Sequence, residues 1–217
     1  MKTVHSHPFA ILDTAIPITQ YTPIDLSVAN HELQHIAITD PLVCEYYITS
    51  YLKEVGGKVA YGGYLEQRNL YNAHAGFTTN EQRNIHLGVD FWAPVDTKVR
   101  VPLKGRVHSF NNNAKKGDYG PTIILEHQWK DSCFYTLYGH LSLASLDGLH
   151  KDKFFDTGQV LGALGSSDIN VDYAPHLHFQ LIEDMGDYAG DYPGVCAKTQ
   201  LEFYKTNCPD PMPFLGW

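Results

Sequence analysis

Twelve histidines in 217 residues is a high count, and three clusters of them are spaced for metal chemistry. His86-Leu87-Gly88-Val89-Asp90 precedes one β-like run, Tyr138-Gly139-His140-Leu141 ends another, and Pro175-His176-Leu177-His178-Phe179 begins a third. His176 and His178 are two apart, so on an extended strand both rings leave the same face, with Cα atoms about 6–7 Å apart. One can hold a metal while the other addresses a substrate. His86 and Asp90 are four apart and would lie about 13 Å from each other on a straight strand, so they share an ion only if the chain bends between them. Gly88 permits that bend. The reading puts His86 in a turn, Asp90 on the strand after it, and both converging on His178.

Two imidazoles and one carboxylate are a zinc-like ligand set, and three protein ligands leave a fourth position for water, as catalytic zinc sites do. Hydrolysis is the chemistry this permits. His140 and His176 are then the residues left to move a proton or to stabilise a developing oxyanion. Tyr138 stands two residues before His140 and would share its face on a regular strand, where its hydroxyl could meet a substrate oxygen; packing within the sheet is its other reading.

The elements that must position these residues are mainly strands. From Gly88 onward, short runs rich in Val, Ile, Phe and Tyr alternate with Gly, Pro, Asn and Asp, which predicts strands at 88–93, 97–101, 105–111, 121–127, 133–139, 158–164 and 176–183. Loops 111–120 and 165–175 are long and polar, the kind of connection that lines a cleft. Before residue 60 the pattern differs. Asp40 as N-cap, Pro41 at the first helical position, apolar residues Leu42, Tyr46, Ile48 and Leu52, and the Gly56-Gly57 stop predict a helix. Leu26, Ala29, Leu33, Ile36 and Ala37 suggest another over 24–38. The expected organisation is a helical N-terminal extension, 1–60, followed by an antiparallel β domain with a groove, 61–217.

Composition agrees and excludes some partners. Fourteen Tyr, ten Phe and eighteen Gly favour a strand- and turn-rich fold. A net charge of −8, with no basic run longer than Lys115-Lys116, argues against nucleic acid and against an anionic membrane surface. Neither a membrane span nor a secretory signal is read in the sequence, so a cytoplasmic location is expected, with a periplasmic or extracellular one as the alternative. Cys44, Cys133, Cys196 and Cys208 lack metal-ligand spacing and read as reduced thiols, with a Cys196–Cys208 disulfide as the option for an exported chain.

The order His-x-Gly-x-Asp, Tyr-Gly-His-Leu, His-Leu-His-Phe over residues 86–183 resembles the lysostaphin-type zinc metallopeptidases, which cut peptidoglycan cross-bridges and stems. The resemblance implies an antiparallel β domain with a narrow groove, zinc on His86, Asp90 and His178, and catalytic roles for His140 and His176. Its expected partner is a peptide or muropeptide. The stretches His108–Asn113, Gly117–His127, Gly190–Gly194 and Pro209-Asp210-Pro211 are similar to the version of this domain embedded between kinase-like and aminotransferase domains in large fusion proteins, which loosens the tie to cell wall. A non-catalytic peptide-binding module and a zinc hydrolase or accessory domain acting on a small amino metabolite are the alternatives.

One rival metal motif exists. His31-Glu32-Leu33-Gln34-His35 reads as H-E-x-x-H, which on an α-helix puts two His on one face with Glu as base. Thirty residues before it are too few for a supporting sheet, so a surface helix with solvated His is expected. Asn69 and Asn72, upstream of the site, could fold over the groove and supply a fourth ligand in a latent form.

Overall fold

The run His176–Ile182 alternates polar and apolar residues as far as Leu181, and all seven residues are buried. Such a strand needs cover on both faces. Leu177, Phe179 and Leu181 enter the main core, while His176, His178 and Gln180 take the opposite face. The computed structural model describes residues 4–69, 82–170 and 172–217. Among these, twelve strands are found: β1 (Tyr21–Pro23), β2 (Val59–Gly62), β3 (Arg83–His86), β4 (Val89–Trp92), β5 (Lys98–Arg100), β6 (Gly105–Asn113), β7 (Gly120–Trp129), β8 (Ser132–Gly139), β9 (Phe154–Phe155), β10 (Val160–Ala163), β11 (His176–Ile182) and β12 (Val195–Ala197). Eight form one sheet in the order β1-β2-β4-β11-β8-β7-β6-β9, and β10 with β5 and β12 with β3 form two small pairs. The fold is mainly β, as the composition predicts, and of the strand pairs only β1 with β2 is parallel.

Each of the seven predicted strand segments contains a strand. Those the sequence did not announce, β1, β2, β3, β9 and β12, have two to four residues each, too short for alternation to show. Helix α1 (Pro41–Val55) follows its signals closely: Asp40 accepts from the Leu42 and Val43 amides, and Gly56 closes it at φ +71°. The helix expected at 24–38 is absent. Only a 3-10 turn at His31–His35 forms there; Leu33 reaches the α1 core from that turn, and Leu26, Ile36 and Ile38 reach it from irregular backbone. In a 3-10 turn the geometry advances three residues per turn, so His31 and His35 do not share a face, and both are exposed. The H-E-x-x-H reading falls with the helix.

No helix among the described residues is long and apolar enough to cross a membrane. All four cysteines are free thiols, Cys133 exposed and the others buried.

His127 shows what a structural histidine looks like in this fold. It is fully buried, stacked on Phe134, and bonded through Nδ1 to the Lys104 carbonyl and through Nε2 to Thr136 Oγ1. Burial pushes it down to about 4, against the opposing pull of the Lys104 carbonyl. Between that value and about 6.5 the unfolded chain holds more protons than the folded one, so stability falls as pH drops through this window. The loss at pH 4.5 should be about 2–3 kcal/mol. His127→Asn should therefore lose less stability than the wild type between pH 7 and 4.5 in urea unfolding; equal losses would show that His127 is not the responsible proton acceptor.

Candidate metal centre

The three expected ligands come from three strands that the topology brings together. Asp90 on β4 lies directly opposite His178 on β11, an antiparallel neighbour. His86 ends β3, a strand of a different sheet, and the chain crosses from one sheet to the other through Leu87 and Gly88. His86 is thus at a strand end rather than in a turn, but the bend is at Gly88. The reason for glycine there is close approach: a Cβ would stand 2.6 Å from the Phe179 carbonyl oxygen and 2.8 Å from the His178 ring.

Three atoms face one another at the centre. His86 Nε2 is 2.9 Å from His178 Nδ1, His178 Nδ1 is 3.1 Å from Asp90 Oδ1, and His86 Nε2 is 3.2 Å from Asp90 Oδ1. The remaining polar atoms show where the protons are. His86 Nδ1 meets the Gly63 carbonyl at 3.0 Å, an acceptor, so Nδ1 carries the proton. The Gln180 amide nitrogen donates to the Pro193 carbonyl and to Cys208 Sγ, so its Oε1 accepts from His178 Nε2 at 2.9 Å. Each histidine therefore turns a lone pair, not an N–H, toward the carboxylate. Three lone-pair donors packed this closely repel unless a cation lies among them. A tetrahedral ion with ligands at about 2.0–2.1 Å wants ligand atoms about 3.3–3.4 Å apart, close to the spacing found. The set fits a divalent ion, and among the described residues it is the one cluster of His, Cys, Asp and Glu with that geometry.

Electrostatics favour the charge states such an ion needs. Burial pushes the His86 imidazole down to about 4, so it is neutral at physiological pH. Burial alone would raise Asp90, but His86, the Arg68 guanidinium and His176 outweigh it and hold the carboxyl well below its ordinary range. All three side chains are buried.

The other two histidines stand beside this triangle. The His140 and His176 rings are 4.2 Å apart, centre to centre. His176 Nδ1 donates to the Ala174 carbonyl at 2.7 Å, which leaves the Nε2 lone pair 3.8 Å from Asp90 Oδ1. His140 is buried and held far below the ordinary imidazole value, by burial first and then by His176 and His178. Its Nδ1 is buried without a hydrogen-bond partner. His140 also has φ +61°, a left-handed conformation that costs a non-glycine residue about 1–2 kcal/mol. That twist decides where the ring goes. On β8, Tyr138 pairs with Phe179 and Gly139 with His178, so regular alternation would have sent His140 into the core. The left-handed turn at His140 breaks the alternation and brings the ring to the site instead.

For the same reason Tyr138 does not join the site. It is fully buried against Phe179, with its hydroxyl accepting from Thr136 Oγ1 at 3.1 Å. The expectation that it shares a face with His140 fails because the strand has ended. Side chains that the sequence did not single out line the cleft beside the triangle. The cleft, about 360 Å³, is walled near the triangle by Trp92, Tyr119 and Tyr173. Tyr119 is clamped between Gly139 and Gly194, where a Cβ would come within 2.6 Å and 1.9 Å of its ring and hydroxyl. Trp92 stacks on His176 at 5.7 Å. Arg68, buried, donates to Asp90 Oδ2. Gln180 was legible, being two residues beyond His178 on the same strand face; Arg68 carried no local signal. Asn69 is exposed, and Asn72 lies outside the described residues.

Comparison with known proteins places these observations. The catalytic domain of the antimicrobial peptidase lysostaphin from Staphylococcus simulans is 23% identical, with a TM-score of 0.43 over 72% of this chain and 89% of that one. A longer lysostaphin structure from the same organism is 24% identical, with a TM-score of 0.39 over 60% of this chain; this chain spans 43% of its length. The catalytic domain of a prophage-encoded M23 protein from Enterococcus faecalis is 21% identical, with a TM-score of 0.42 over 59% of this chain and 82% of that one. No curated protein sequence matches. Residues 84–189, the stretch that carries His86, Asp90, His140, His176 and His178, match the model of peptidase family M23.

Proposed function

We propose that residues 61–217 act as a zinc-dependent hydrolase of peptide bonds, with His86, Asp90 and His178 as the metal ligands and His140 and His176 as the catalytic pair. The observation that carries this reading is the triangle of three lone pairs, each aimed inward by a hydrogen bond on its far side. A divalent ion held there supplies Lewis acidity, bringing the pKa of a water toward neutrality and polarising a carbonyl oxygen.

The chain's own groups do the rest. His176, neutral and with Nε2 free, is placed to accept the proton that the attacking water loses and to pass it to the departing amine. His140, across a 4.2 Å gap, offers its ring to the oxygen on which charge develops. The rings of Trp92, Tyr119 and Tyr173 line the cleft with flat faces, which suit backbone and small side chains. That geometry supports a glycine-containing or peptidoglycan-type peptide as substrate. The cleft rim carries both signs, Arg83, Lys115 and Lys116 with Asp118 and Asp191, in keeping with a zwitterionic peptide rather than a polyanion.

The test is a mass-spectrometric screen of purified peptidoglycan fragments, oligoglycines and small amino compounds, each incubated with zinc-loaded and chelator-treated protein. Cleavage of a peptide bond by the zinc-loaded sample alone supports the proposal. Turnover confined to the small amino compounds would redirect it to a metabolite hydrolase, and binding that survives chelation without turnover would make the groove a non-catalytic module.

A further inference from the structure

We propose that Arg68 is a positioning residue that fixes Asp90 as a one-oxygen metal ligand, and that Glu66 is its counter-charge; this rests on the metal-site reading above. Arg68 is 1% exposed, deep burial for a guanidinium, and its fork is engaged on several sides. Nη1 donates to Asp90 Oδ2 at 2.5 Å, while Oδ1 of the same carboxylate is the atom in the ligand triangle. One carboxylate oxygen is thus occupied by the guanidinium and the other is turned to the metal position. A carboxylate without such a partner can swing to bind an ion through both oxygens.

The fork is held from behind. Nε donates to Glu66 Oε2, Nη2 donates to the Gly62 carbonyl at 3.3 Å, and the guanidinium lies 5.4 Å from the Trp92 ring centre. Glu66 is itself tied by Oε1 to the Leu26 amide at 3.1 Å, which connects the clamp to the N-terminal segment. The backbone has been shaped around it: at Gly63, φ +103°, a Cβ would stand 1.8 Å from Arg68 Nη2. Because Glu66 balances Arg68, the pair brings no net charge to the site. Its contribution is orientation, not repulsion of the ion.

The experiment compares the wild type with the double variant Arg68→Met, Glu66→Gln, which removes both charges of the clamp together, so that neither is left buried without the other and Asp90 Oδ2 alone loses its donor. Two quantities are read: the zinc dissociation constant by competition with a chromophoric chelator, and the visible absorption of the Co2+-substituted protein, whose bands weaken as coordination rises from four to five. The proposal expects zinc affinity at least tenfold lower in the double variant, in line with the 10–100-fold cost of removing groups that orient ligands. It also expects weaker Co2+ bands, because the freed Asp90 binds through both oxygens. Affinity within twofold of wild type with an unchanged spectrum would overturn it, and tighter binding would overturn it in the other direction, by showing that the guanidinium competes with the ion.

If the double variant does not fold, Arg68→Lys carries the test. It keeps the charge but cannot span Asp90 and Glu66 at once. A severalfold loss of zinc affinity is expected, and wild-type affinity overturns the proposal. Should the wild type itself bind neither zinc nor Co2+, it is the metal-site reading that fails, an outcome separate from all of these.

Discussion

Asp90→Ala is expected to bring zinc from about one equivalent per chain to near none and to abolish peptide hydrolysis, and it should also uncouple stability from metal. The last effect follows from linkage: an ion that binds only the folded chain stabilises it by about 2.7–4.1 kcal/mol at 100 to 1,000 times its dissociation constant. For a protein of this size each kcal/mol is worth about 2–4 °C in Tm, so chelation should lower the wild-type Tm by about 5–16 °C. The Tm of Asp90→Ala should not respond to chelator. Asp90 is the right residue for this test because it supplies the only charge in the triangle and touches both histidines, at 3.1 and 3.2 Å. Metal analysis and calorimetry together check it: equal zinc in the two proteins, or a chelator response in the variant, would remove Asp90 from the ligand set.

What could be read from the sequence depended on how local its cause was. The shared face of His176 and His178 needs only strand periodicity, and β11 is long enough to enforce it. The Gly88 bend was legible as a necessity of spacing, although the reason for glycine there, a 2.6 Å approach to the Phe179 carbonyl, belongs to the tertiary packing. Tyr138 was misplaced because alternation was extended one residue too far, across a backbone twist at His140 that no residue type announces. The helix expected at 24–38 failed because its apolar residues serve the core beside α1 without needing a helical period. Arg68 was invisible for a deeper reason. A charged residue becomes buried only through its partners, and Asp90 lies 22 positions away, on a strand whose place is set by the sheet.

The catalytic assignment turns on His140, where the structure places an unusual backbone and an unusual ring together. His140→Ala is expected to retain zinc and to lower kcat by about 10²–10⁴, the range for loss of a positioned proton-transfer or charge-stabilising group. In free-energy terms that is about 3–5 kcal/mol of transition-state stabilisation. Stability should change less, since the backbone bonds of His140 to Tyr119 and Gly165 survive the substitution and its ring lies outside the ligand triangle, with no hydrogen bond at Nδ1 to lose. His140→Gly sharpens the contrast: it removes the same ring but also relieves the φ +61° conformation, so it should be no less stable than His140→Ala while being equally inactive. A left-handed histidine that breaks strand alternation to reach a cleft is hard to explain by packing, because a glycine there would cost less and the core would be undisturbed. If both variants keep zinc and keep wild-type turnover on a verified substrate, His140 has no catalytic role, and His176 alone, with its Nε2 lone pair 3.8 Å from Asp90, must manage the proton.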